Sequence, residues 1–204
     1  MAALSFLNRE KTIAPADYNR WLVPPAALAI HLAIGQVYAF SVFKIPLSKL
    51  LGVAAASAHN LNDLNRVAQA AGDWSESSLQ WIFSLAIVCL GLSAALWGTW
   101  LERVGPRRAM FTSACCFAGG FLLSSLGVRL HQLWIIYLGY GVLGGIGLGI
   151  GYISPVSTLI KWFPDRPGMA TGMAIMGFGG GAMIGGPLAN ALMNRYFHLA
   201  PSGV

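Results

Sequence analysis

A few polar side chains stand inside otherwise greasy stretches, and they are the residues best able to do chemistry. His31, Gln36 and Tyr38 fall in one apolar run. At helical spacing His31, Gly35 and Tyr38 share a face, and Gln36 lies about 140° around from His31. An imidazole and a carboxamide carried into hydrocarbon need hydrogen-bonding partners, so both should point into a helical bundle. They can serve there as structural polar residues or as contacts for a small polar solute. A second run carries Gln80, Ser84, Gly91 and Gly98. In a later run Tyr137, Tyr140, Gly144, Gly147, Gly151, Ser154 and Thr158 step by three and four, a small and polar stripe on one helix face. Such a stripe faces either another helix or a water-filled path. No carboxylate lies in any of these runs, so a proton relay of the kind built on membrane carboxylates is not expected. Nothing resembles a nucleophile with its base. Cys89, Cys115 and Cys116 lie in apolar runs without metal-ligand spacing. The sequence therefore predicts no enzyme, no metal and no cofactor.

The elements that must position these residues are membrane helices. Of 204 residues, 56% are hydrophobic and only 10% charged, whereas soluble domains carry about 25% charge. Five stretches are long enough to span, at about 20 apolar residues each. They run from Trp21 to Phe43, Leu79 to Leu101, Ala109 to Val128, Leu130 to Ile160 and Gly168 to Met193, with no Asp, Glu, Lys or Arg in any of them. The expected fold is all-α, a polytopic bundle of about five transmembrane helices over residues 21–195. Residues 1–20 form a cytosolic tail, 44–78 an external loop, and 196–204 a truncated end. That loop holds Asn60, Asn62, Asp63, Asn65 and Asp73, too polar to span. Glycines four apart, at Gly141, Gly145 and Gly149 and again at Gly177, Gly181 and Gly185, allow close helix approach.

The net charge of +6 sits in short clusters between apolar runs, which argues against nucleic acid and for membrane links under the positive-inside rule. With the N-terminus in the cytosol, the inner side carries Arg9, Lys11, Arg20, Arg103, Arg107, Arg108, Lys161 and Arg166. The outer side carries Lys44, Lys49, Arg66, Arg129 and Arg195. Eight against five favours that orientation, in a cell membrane (inner or plasma).

The link after the second run reads Gly98-Thr-Trp-Leu-Glu102-Arg103-Val-Gly105-Pro106-Arg107-Arg108. It resembles the signature loop of the major facilitator superfamily, with Glu102 where Asp is usual and Pro106 where Arg is common. Gly98 and Gly105 permit close packing and a tight turn, and Glu102 with the arginines can bridge neighbouring helix ends as one state of a gate. The next cytosolic link, Lys161-Trp-Phe-Pro-Asp165-Arg166-Pro-Gly168-Met-Ala-Thr-Gly172, is similar to that of the oxalate/formate antiporter-like branch. Gly35-Gln-Val-Tyr-Ala-Phe-Ser-Val-Phe43, Trp74-Ser75 before Gln80-Trp81, and Gly149-Ile-Gly-Tyr152-Ile-Ser-Pro155 add to the likeness.

The resemblance implies a secondary transporter of small organic anions such as oxalate, formate or related monocarboxylates, working by alternating access. The family fold has two six-helix halves with substrate between them near the bilayer midplane. By position, the substrate-binding candidates are Gln36, Tyr38, Gln80, Tyr140 and Tyr152, with His31 beside them. The cytosolic gate candidates are Gly98, Glu102, Arg103, Gly105, Arg107, Arg108, Asp165 and Arg166. In the branch, cations that neutralise the substrate belong to the second half, and no span here is expected to supply one. The chain is therefore expected to be an N-terminal portion, inactive alone and partnered by a missing C-terminal half. The alternatives are a half-transporter working with a second copy, and a membrane scaffold or regulator that does not transport.

Overall fold

The computed structural model describes residues 7, 13–15, 17–52 and 68–197, with the side chains of residues 196 and 197 excepted. Arg9, Lys11, Asn60, Asn62, Asp63, Asn65, Arg66 and residues 198–204 lie outside the described residues.

Among the described residues, five helices are long and apolar enough to cross a membrane. Helix α1 spans Arg20–Ser48, α2 Glu76–Val104, α3 Pro106–Arg129, α4 Leu133–Trp162 and α5 Pro167–Phe197. Their starts follow local chemistry. The Asn19 side chain accepts from Trp21 N (3.1 Å), and Pro24 and Pro25 sit in the first turns of α1, where a missing N–H leaves no bond unmade. Ser75 Oγ accepts from Ser78 N (3.2 Å) to cap α2, and Glu76 places negative charge in its first turn. Between α2 and α3 stands Gly105 alone, at φ 86°, a conformation that disfavours any side chain, and Pro106 opens α3.

Several boundaries differ from the sequence expectation. Helix α1 does not stop at Phe43 but continues as α-helix over Ser41–Ser48, so Lys44 is helical. A lysine can end an apolar run without ending a helix, because its long stem carries the ammonium toward a polar region. Helix α4 begins at Leu133 instead of Leu130, because His131 adopts φ 50° and Gln132 N turns back onto Gly127 O (2.8 Å). Helix α2 begins at Glu76, inside the stretch expected to be loop.

The helices are not uniformly α. Gln36–Phe40 in α1 tightens to a 3₁₀ segment, and Tyr137–Gly144 in α4 widens to a π-helix. These changes alter the angular step between neighbours, so faces drawn at 100° per residue rotate on either side of them.

Helix α4 is the most enclosed of the five, packed between α2 and α3, while α1 lies along α5. Small residues decide both seams. A Cβ on Gly145 would sit 2.7 Å from Ala86 O and Cys89 Cβ of α2, and one on Gly149 would overlap Ser93. Opposite, Gly147 abuts Phe117 N of α3, and Gly151 abuts Ser113. Ser113 Oγ donates to Gly147 O (2.7 Å) across that seam. On the other side Gly177, Gly181 and Gly185 lie against Leu28, Leu32 and Gln36 of α1. Lipid supplies no hydrophobic drive between helices, so this intimacy and the interhelical hydrogen bonds hold the bundle together.

The end of the bundle away from Gly105 is closed by a polar knot. Asp73 accepts from the backbone amides of Leu51 (2.7 Å), Gly52 (3.2 Å) and Ala70 (2.8 Å). Trp74 is buried and stacks on His131 at 4.5 Å, and His131 Nε2 bonds Gly72 O (3.0 Å), tying the approach to α2 to the α3–α4 turn.

Candidate functional site

Three of the sequence candidates converge. His31, Tyr38 and Tyr152 gather around Phe178 of α5, with ring centroids 6.3, 5.2 and 5.0 Å from it, and His31 meets Tyr152 edge-on at 5.6 Å. Gly35 completes the arrangement, since its missing side chain leaves room for the Phe178 backbone. The face drawn through His31, Gly35 and Tyr38 is thus the face that meets α5. His31 is fully buried. A carbonyl can only accept, so Nδ1–H donates to Ala27 O (3.0 Å) one turn back, and Nε2 is left as a bare acceptor without a partner among the described residues. Tyr38, 48% exposed, brings this aromatic group to the bundle surface.

The other candidates lie elsewhere. Tyr140 is buried between Phe40 (5.1 Å) and Phe121 (5.4 Å), and its hydroxyl has no partner among the described residues. Gln36 lies against Gly185 of α5, where it joins Leu32, Phe121, Ile184 and Leu188 around a largely apolar groove of about 410 Å³. Gln80 lines a separate polar cavity of about 440 Å³ with Lys44, Glu76, Ser77, Trp81 and Ser84. The stripe on α4 is used in packing at several points. Tyr137 Oη donates to Ser78 O (2.8 Å), and Gly147 and Gly151 sit against α3.

At the Gly105 end, charged residues link helix ends. Glu102 of α2 accepts from Ser157 Oγ (2.7 Å) and pairs with Lys161, both on α4 and one turn apart. Asp165, between α4 and α5, accepts from Arg20 Nη1 (2.9 Å) and Nη2 (3.2 Å), and Arg166 Nε stands 3.8 Å away. The hydrogen bond from Arg20 holds the Asp165 carboxyl below the usual aspartate value. The Arg20 guanidinium also lies over the Phe163 ring, 4.9 Å from its centroid.

Two participants escaped the sequence reading. Phe178, the organising ring of the aromatic group, was hidden among glycines, although it is the one aromatic residue between Gly168 and Met193. Lys44 was assigned to a loop. Its signal was the apolar continuation Ile45-Pro46-Leu47 beyond it. Among the described residues no cluster of three His, Cys, Asp or Glu could hold a metal ion.

Five membrane-length helices with glycine seams, and charged links gathered at one end, define a multi-pass membrane protein of transporter type. The chain belongs to the Major Facilitator Superfamily, whose family profile matches residues 21–200. Its all-α bundle corresponds to an N-terminal portion of that fold, a fold of transporters and not of enzymes. The chain is 30% identical over 173 residues to the MFS-type transporter YhjX of Escherichia coli (strain K12), covering 84% of this chain and 37% of that protein. It is 26% identical over 197 residues to apicoplast pyruvate carrier 1 of Toxoplasma gondii, covering 85% and 34%. It is 24% identical over 176 residues to the oxalate:formate antiporter of Oxalobacter formigenes, covering 86% and 36%. The chain thus spans little more than a third of the length of these relatives.

Proposed function

We propose that this chain forms part of a secondary transporter of small organic anions, with oxalate, formate and pyruvate-like monocarboxylates as the substrate class. The observation that carries the reading is superfamily membership, together with relatives whose names specify pyruvate and oxalate/formate. The group of His31, Tyr38 and Tyr152 around Phe178 supports it, because it sets polar atoms in an aromatic frame on the side where Tyr38 opens to the bundle surface. Gln80 adds a carboxamide at the neighbouring cavity. In this reading the N-terminus and the Gly105 link face the cytosol of a cell membrane. Glu102–Lys161 and Arg20–Asp165 then hold one state of the cytosolic gate, with Arg103, Arg107 and Arg108 beside them.

The relatives are nearly three times as long as the matched region, so transport is assigned to an assembly in which a C-terminal half or a second copy supplies the facing wall. Uptake of radiolabelled oxalate, formate and pyruvate into liposomes tests this, with the chain alone and with a co-expressed C-terminal half of a relative. Exchange only in the combined sample is expected. Exchange by the chain alone would favour an oligomeric half-transporter. No exchange in either, with the paired complex demonstrably assembled, would favour a scaffold or regulator.

A further inference from the structure

The continuation of α1 through Ser48 moves one cation from a loop onto a membrane helix. Lys44 lines the cavity of about 440 Å³ at the end of the bundle away from Gly105. It is partly buried and has no hydrogen-bond or ion-pair partner among the described residues. Around the same cavity stand the carboxamide of Gln80, the hydroxyls of Ser77 and Ser84, and the indole of Trp81. Ser84 Oγ donates back to Gln80 O (3.3 Å), so its one hydroxyl proton is already engaged. Glu76 is the acid at the rim. It lies in the first turn of α2, exposed, where the helix terminus favours its charge.

We propose that Lys44 is the anion-pairing residue of this half of the transporter, forming with Gln80 a subsite for one carboxylate of the substrate. This rests on the carboxylate reading above and gives it a cation that the five apolar runs lack. The chemistry is direct. An ammonium offers three N–H donors and a carboxamide two, and a carboxylate accepts several at once. Glu76 repels a second anion, so the site favours a single carboxylate at a time.

The lysines of the chain are Lys11, Lys44, Lys49 and Lys161, few enough for 15N-lysine NMR of the 204-residue chain in nanodiscs, with Lys44→Arg to assign the signal. Titration with oxalate should move the Lys44 signal. The neutral isostere oxamide should not, nor should chloride at equal ionic strength. Binding of radiolabelled oxalate should weaken about tenfold or more in Lys44→Gln, survive in Lys44→Arg, and tighten in Glu76→Gln. Oxalate binding that Lys44→Gln leaves intact, or a Lys44 signal that stays still while oxalate binds, overturns this site alone. Failure of the wild-type chain alone to bind oxalate, formate or pyruvate overturns the site, and failure also when it is assembled with the C-terminal half of a relative overturns the carboxylate reading on which the site rests.

Discussion

Arg20, at the start of α1, grips Asp165, in the link between α4 and α5, with both terminal guanidinium nitrogens at 2.9 and 3.2 Å. The two residues are 145 apart in sequence. The contact closes a ring of helices at the Gly105 end, because α1 already lies along α5 and α4 leads into α5 through Asp165.

That contact predicts a particular dependence on pH. The folded value for Asp165 is lowered from 3.8 by its Arg20 partner. Its stabilisation is therefore fully present above 3.8 and disappears as pH falls through the lowered value. The protection factors of the amides of residues 19–23, taken relative to the intrinsic exchange rate at each pH, should stay constant between about pH 5 and 8 and fall in strong acid. In Asp165→Asn the same amides should exchange faster at neutral pH and show no acid step. Unchanged exchange in the variant would mean the pair holds nothing in place.

Glu102 meets Ser157 and Lys161 together, which demands the full length of a glutamate. Glu102→Asp, although it restores the residue usual in the superfamily loop, should lose one of the two contacts. The pair is half exposed, so the loss should be about 0.2–1 kcal/mol. The exchange Glu102→Lys with Lys161→Glu should recover most of what either change loses alone. Denaturant titration of the four proteins measures the coupling.

The glycines divide into those that face a neighbour and those that face space. Gly145→Ala puts a methyl group 2.7 Å from Ala86 O and should destabilise by about 1–3 kcal/mol. Gly91 and Gly179 have nothing within 4 Å of an added Cβ. Alanine there should leave stability unchanged or raise it by about 0.5–1 kcal/mol through helix propensity. Unfolding in SDS followed by circular dichroism separates the two groups.

Phe178→Ala should empty the space between His31, Tyr38 and Tyr152 and lower stability by about 3 kcal/mol, the low end for a buried aromatic residue. Phe178→Leu should lose less. If the His31 ring signals in NMR keep their positions in Phe178→Ala, Phe178 is not what orders them.

The helices were legible because ionised side chains are costly in hydrocarbon, so the charge-free runs outline them. The seams were legible too, since glycines four apart lie on one side of a helix, and Gly177, Gly181 and Gly185 do meet α1. The candidate site was less so. Gln36 and Tyr38, which helical spacing already sets on different faces, go one to an apolar groove and the other to Phe178. Tyr140 sits in a π-helical segment and turns toward Phe121 of α3. Departures from α-helical pitch depend on packing across the bundle, and residue types alone do not announce them. Lys44 was hidden for a different reason. A charged residue marks the end of an apolar run, although a lysine stem can follow a helix while its head reaches polar ground.

A connector of one residue, Gly105, leaves α2 and α3 no slack. If α2 tilts during a transport cycle, α3 must swing with it like the second arm of a hinged rule, and Glu102 beside the pivot would swap its α4 neighbours as the angle opens. Lengthening that joint by even two residues would let the arms move apart independently, uncoupling whatever happens at Gln80 from whatever happens at Lys161.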